Sequence, residues 1–250
     1  MKRISGLILV FLLLAGCVSG GAWASQSAAN TNSARLHTEL AGLYFERNQM
    51  GIALSETDLA IRADRNYAPA YSMRGLIHMA LHEDKEADEA FQHGLHLDGA
   101  DSEAHNNYGW FLCQRGKHSE SITHFIAAVK NPLYTTPERA YLNAGLCSQK
   151  AGNTADAEDF LGRALSLQPA LPQALLAMAE IRFAKGDYPA AKKYFTNFAQ
   201  HTELLTAAQL WLAIRIERKL GDRNAEASYG LQLRKYYPDA SETQSLMNGE

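Results

Sequence analysis

The side chains with the most chemistry to offer are few: three cysteines and nine histidines in 250 residues. A cysteine serves as nucleophile, metal ligand or half of a disulfide according to its surroundings. His78 and His82 stand at i, i+4, and His93 and His96 at i, i+3. Either spacing puts two rings on one helix face and offers a metal two ligands. Neither pair carries the neighbouring Glu of a zinc-protease helix, and no third ligand is indicated, so solvated helix faces are expected. Glu83-Asp84-Lys85-Glu86 reads as a mixed-charge turn, not a carboxylate dyad in a cleft. There is no Gly-rich phosphate loop and no nucleophile elbow. Tyr108 and Tyr141 read as core. The expectation is a protein that is no enzyme, with no cofactor, no resident metal and no small-molecule substrate.

The first cysteine belongs to a different chemistry. Lys2 and Arg3 precede an apolar run from Ile4 to Ala15, broken only by Ser5 and Gly6. The run is too short for a stable membrane span, which takes about 20 apolar residues, and it reads as an export signal. Leu14-Ala15-Gly16-Cys17 resembles the lipobox of bacterial lipoproteins. That resemblance implies cleavage before Cys17 and acylation of its sulfur and new amino group. Several acyl chains, at about 0.8 kcal/mol per buried CH₂, exceed the one-chain limit for stable anchoring. The alternative is an ordinary signal cut near Ala22 or Ala24. Val18 stands where an Asp would favour inner-membrane retention, so the expected site is the outer membrane, with the protein held in its inner leaflet and facing the periplasm.

Residues 18–33 are mostly Ser, Ala, Gly, Asn and Gln, with one Trp and no charge. Such a segment cannot bury enough surface to offset its ordering entropy. It is expected to be a flexible tether, reaching roughly 20–25 Å by random-coil scaling. The whole chain has a formal net charge of −3 and no Lys/Arg run. Nucleic acid and anionic lipid surfaces are therefore poor partners.

Period decides the fold. Small residues recur at Ala41, Gly75, Gly109, Gly145, Ala179 and Ala213, spaced 34, 34, 36, 34 and 34. Twelve residues after each stands another small residue: Ala53, Ala87, Ser121, Ala157, Ala191 and Ala225. Four further on are Thr57, Phe91, Phe125, Leu161, Phe195 and Tyr229, mostly large. Gly51, Gly116, Gly152, Gly186 and Gly221 fall where a helix-to-helix turn is needed. This is the 34-residue tetratricopeptide period. It predicts an all-α right-handed superhelix (solenoid) of six helix-turn-helix repeats over 34–67, 68–101, 102–135, 138–171, 172–205 and 206–239, with a polar tail over 240–250. No repeat buries its apolar stripe alone, so stacking supplies the stability. Two extra residues fall within Asn131-Pro132-Leu133-Tyr134-Thr135-Thr136-Pro137. There Pro132 ends one helix, and Thr136 and Pro137 suit the N-cap and first position of the next.

Asn107-Tyr108-Gly109-Trp110-Phe111-Leu112-Cys113 with Gly116, Asn131-Pro132-Leu133-Tyr134, and Asn143-Ala144-Gly145-Leu146-Cys147 resemble the central block of the type IV pilus biogenesis and stability lipoproteins. These are the tetratricopeptide pilotins of the pilus secretin. The resemblance implies an assembly role: binding secretin subunits, carrying them to the outer membrane and promoting their multimerisation. A scaffold lipoprotein of another envelope assembly or peptidoglycan-regulating complex is the alternative.

Cys113 is the twelfth residue of the third repeat and Cys147 the tenth of the fourth. Both therefore lie on first helices of stacked neighbours. Axes about 8–10 Å apart bring such a pair into the roughly 4.4–6.8 Å Cα range of a disulfide when the side chains face each other. A Cys113–Cys147 bridge is the expectation for an oxidising compartment. Two buried free thiols are the alternative. Metal binding is disfavoured, because no His sits at zinc spacing from either.

Positions two, five, nine and twelve of each first helix are expected to face the groove of the solenoid. Phe45, Leu76, Met79, Asn106 and Trp110 thus form a candidate partner-binding surface with few charges. An apolar groove suits an extended or helical peptide. The same side chains packing on one another is the competing reading.

Overall fold

The computed structural model describes residues 8–249, with side chains from Gln26 onward. The leader expected over 1–16 and the lipidation expected at Cys17 lie outside the described side chains. Thirteen helices and no strand occur among the described residues. The first helices of the six repeats are α1 (Ile8–Glu46), α3 (Ala68–Ala80), α5 (Ser102–Gln114), α7 (Pro137–Lys150), α9 (Pro172–Ala184) and α11 (Ala207–Leu220). Their partners are α2 (Met50–Ala63), α4 (Asp84–Leu97), α6 (His118–Lys130), α8 (Thr154–Leu167), α10 (Tyr188–Gln200) and α12 (Arg223–Tyr236). A short α13 (Ser241–Met247) follows. Two compact units divide within α5, Met1–Tyr108 and Gly109–Glu250. Among the described residues no helix is long and apolar enough to cross a membrane.

The period works through contact between a small and a large residue. A Cβ added at Gly75 would stand 2.8 Å from the Phe91 ring, one at Gly109 2.9 Å from Phe125, and one at Gly145 2.6 Å from Leu161. Real Cβ atoms do not come so close. Hydrogen at these positions therefore lets the second helix lay its large side chain directly on the first. Phe91, Phe125 and Leu161 are fully buried as a result. The first repeat shrinks both partners instead, to Ala41 and Thr57, each fully buried.

Turn chemistry differs from the sequence reading at one place. The residue with positive φ between paired helices is Gly116, Gly152, Gly186 or Gly221 in the last four repeats, with φ of 74–79°. In the first two it is Asn48 (φ 59°) and His82 (φ 61°). Gly51 is no turn residue: it lies in the first turn of α2, and a Cβ there would meet nothing within 4 Å.

Three other segments depart from, or refine, the sequence expectation. The tether expected over 17–33 is helix where its side chains are described. Gln26–Asn32 are exposed, and Gln26 donates to Asn30 one turn on (3.1 Å). Extending a helix already nucleated by the packed residues from Ala34 adds one backbone bond per residue without a new nucleus. The polar tail also folds in part. α13 buries Thr243, whose hydroxyl donates to the Tyr237 carbonyl (2.6 Å), and Leu246 packs on Leu210, Ile214 and Leu233. In the insertion, Thr136 and Pro137 do take the N-cap and N1 positions of α7, but the Thr136 side chain makes no cap bond. Asn131 Oδ1 instead accepts from the Leu133 N–H (2.9 Å), closing a side-chain-directed turn.

Candidate functional site

Within the second unit, α5, α6 and α7 converge on the two cysteines. Cys113 near the end of α5 and Cys147 in α7 are joined as a disulfide, with Cα atoms 5.8 Å apart. Both are buried, at 2% and 0% exposure, in a cluster with Phe125 and Ala144. The bridge links the repeats on either side of the two-residue insertion.

The first residue of α6 brings a third polar group that spacing did not suggest. His118 Nδ1 lies 3.4 Å from Cys147 Sγ and 4.0 Å from Cys113 Sγ. Ser121 Oγ, one turn later, is 3.4 Å from Cys147 Sγ and donates to the Gly109 carbonyl (2.7 Å). His118 follows Cys113 by five residues, but those residues form a helix-to-helix turn. Linear spacing rules written for continuous ligand loops do not see such a reversal.

The histidine pairs noted in the sequence do not assemble into ligand sets. His78 Nδ1 pairs with Glu83 Oε2 at 2.6 Å, and the His93 ring packs on Tyr71 with centroids 4.3 Å apart. His82 is the turn residue of the second repeat. Among the described residues the His/Cys/Asp/Glu group able to surround an ion is Cys113, His118 and Cys147.

The residues expected to line a groove fare unequally. In the first unit Phe45, Leu76 and Met79 are half-buried. Asn106 is 1% exposed and is not offered to a ligand. Ser72, also at position five of its repeat, is 7% exposed. That position points toward the neighbouring helices in the second and third repeats, not to open solvent. In the second unit Trp110 is half-buried, packed against the cysteine cluster, with Lys150 Nζ 5.3 Å from its ring centroid. Later repeats place polar groups at corresponding positions. Gln149 donates to Glu180 Oε2 (3.3 Å), and partial desolvation raises the Glu180 carboxyl above its ordinary pKa, an effect the Gln149 donor opposes.

The chain is 31% identical over 246 residues to the type IV pilus assembly protein PilF of Pseudomonas aeruginosa, an alignment covering 95% of this chain and 96% of that one. This chain belongs to the type IV pilus biogenesis family of tetratricopeptide proteins. Two solved structures of the family agree in fold. PilW, described as a widely conserved type IV pilus biogenesis factor, superposes with a TM-score of 0.77 at 32% identity, covering 86% of this chain and 98% of its own. PilF of Pseudomonas aeruginosa superposes with a TM-score of 0.83 at 28% identity, covering 89% and 100%. The tetratricopeptide repeat family itself matches residues 138–171, the fourth repeat, which carries Cys147. Members of this pilus biogenesis family share a scaffold of helix pairs, and in this chain the disulfide, His118 and Ser121 meet at α5–α7. The family supports a role in pilus assembly through contacts with other proteins.

Proposed function

We propose that the protein is a lipid-anchored pilotin: a non-enzymatic adaptor that binds secretin subunits of the type IV pilus and promotes their localisation and multimerisation in the outer membrane. The observation that carries this reading is the match of 95% of the chain to a pilus assembly protein, in a sequence opening with a basic, apolar leader that ends in Leu14-Ala15-Gly16-Cys17. Cys17 is the acylated residue and the lipid is the address. The residues between Cys17 and Ala34 form the link. As helix, sixteen residues reach about 24 Å at 1.5 Å each, enough to hold the repeats clear of the headgroups. Phe45, Leu76 and Met79 are the apolar contacts offered to a peptide segment of the partner.

Deleting the gene tests the reading. Secretin subunits are expected to persist while the heat-stable multimer and surface pili disappear, and normal multimer levels would refute the proposal. Cys17→Ala is expected to leave the repeats folded and able to bind secretin in a pull-down, yet to move both proteins out of the outer-membrane fraction. Leu76→Glu and Phe45→Glu are expected to weaken the pull-down with helical circular dichroism intact. Unchanged capture by both variants would remove this surface from consideration.

A further inference from the structure

We infer that Cys113, Cys147 and His118 form a binding site for a thiophilic d¹⁰ cation such as Zn²⁺ whenever the two cysteines are reduced, so that metal and disulfide exclude one another. The inference is independent of what the protein's partner is.

The geometry is the first argument. Thiolates bind zinc at about 2.3 Å and imidazole at about 2.0–2.1 Å, in a tetrahedron. Those lengths set sulfur and nitrogen roughly 3.5 Å apart across the ion. His118 Nδ1 stands 3.4 Å from one sulfur and 4.0 Å from the other, spacings that bracket this value. The two sulfurs need only part from bonding distance to about 3.8 Å, the separation of two ligands on such a tetrahedron. Their Cα atoms, 5.8 Å apart on two rigid helices, allow that through side-chain rotation. The set supplies two soft sulfurs and one imidazole, the donor types that select zinc or cuprous ions over calcium and magnesium.

Charge is the second argument. A phosphine supplies the two electrons, leaving as its oxide, and water the two protons, so that the S–S bond becomes two thiols. The cation displaces both thiol protons into solvent and accepts the lone pair of His118. Two thiolate charges cancel the dication, so a site at 0–2% exposure on its cysteine side closes without net charge, which is what burial requires. Ser121 has its one hydroxyl proton committed to the Gly109 carbonyl and borders the sulfur of Cys147 from outside the ligand set. Three protein ligands leave the fourth position to water. In a newly made chain both cysteines are thiols, so ion and oxidant compete for the same pair.

The test uses the full chain carrying Cys17→Ser, so that the pair provides the only thiols. After reduction with a phosphine and anaerobic desalting, Co²⁺ is titrated in. The expected result is one cobalt per chain, with thiolate-to-cobalt charge-transfer bands and the visible bands of a tetrahedral ion, all displaced by Zn²⁺. The oxidised chain is expected to show none of these bands. Cys147→Ser is expected to lose them, and His118→Ala to weaken binding by more than the roughly 10–100-fold that loss of an outer-shell partner produces. Absence of the bands in a reduced, helical chain whose two thiols react with a thiol reagent overturns the inference. So does His118→Ala binding as tightly as the parent, or equal binding by the oxidised chain. If reduction lowers helicity, Zn²⁺ must restore it, and failure to do so counts equally against the site.

Discussion

The turns inside the first three repeats and those inside the last three follow the same path with different residues. In the last three, a glycine with positive φ is followed at once by a residue that caps the next helix. Gly152 precedes Asn153, which accepts from the Asp156 N–H; Gly186 precedes Asp187, which accepts from Ala190; Gly221 precedes Asp222, which accepts from Ala225. In the first three the pairs are Asn48-Gln49, His82-Glu83 and Gly116-Lys117, and none of those N-cap side chains bonds to its helix. The late turns are written in local chemistry, since glycine takes the left-handed conformation freely and Asn or Asp satisfies an orphan N–H. The early turns hold the same geometry without a cap bond, and the first two do so without glycine. Small-on-large packing is common to both sets, as in Gly75 on Phe91 and Gly145 on Leu161, but in the early turns no cap bond adds to it. Early repeats should thus depend on their neighbours more than late ones do.

The strongest way to break this comparison is at the seam between the two sets, where the third and fourth repeats are cross-linked. Cys113→Ser with Cys147→Ser is expected to cost about 2–4 kcal/mol, the usual range for a native bridge, read as a lowered midpoint in urea denaturation. If local chemistry already holds the late repeats, protection from hydrogen exchange should fall more in α3–α6 than in α8–α12. Equal loss in both would erase the distinction. Next in size is overpacking. Gly145→Val forces methyl groups into Leu161, and Gly75→Val forces them into Phe91. Each is expected to cost about 1–3 kcal/mol, measured by thermal melting.

Caps should separate the two sets more finely. Asn153→Ala is expected to cost about 1 kcal/mol, whereas Gln49→Ala, with no cap bond to lose, should change the melting temperature little. The Asp222 carboxyl is held below its ordinary pKa chiefly by the Ala225 N–H and then by Lys192. Because the folded value is the lower one, its contribution is present above the unfolded pKa and fades as pH falls through the folded one. Asp222→Asn should therefore narrow the gap to the parent in acid and widen it near neutrality, by less than the loss at Asn153.

The same contrast explains what could be read in the sequence. The period of 34 was legible because small residues recur at fixed positions in every repeat and, in the second to fourth, seat a large side chain of the paired helix. Gly51 misled because a glycine near the expected turn looked like the left-handed residue, while the chain used Asn48, one of the few other residues that tolerate that region. Asn106 misled because the period does not reveal that position five turns toward the neighbouring helices and is covered by them. His118 was missed because a tertiary reversal brings it to the cysteines. The helix over Gln26–Ser33 was missed because its composition carries no burial signal. It extends from a packed segment instead.

The smallest effect is the most discriminating, because its sign is reversed. His82 is exposed and sits at φ 61°, where a Cβ crowds the following carbonyl at roughly 1–2 kcal/mol. Glycine removes that strain but widens the unfolded ensemble, which returns part of the gain. His82→Gly is expected to stabilise the protein by about 0.5 kcal/mol. The reverse change at the matching position of a late repeat, Gly152→His, should destabilise it, since the φ of 77° there is no easier for a histidine. Equilibrium denaturation of both variants decides the matter. A loss of stability in His82→Gly would mean that its side chain contributes something its exposure does not suggest, and that the early turns are specified after all.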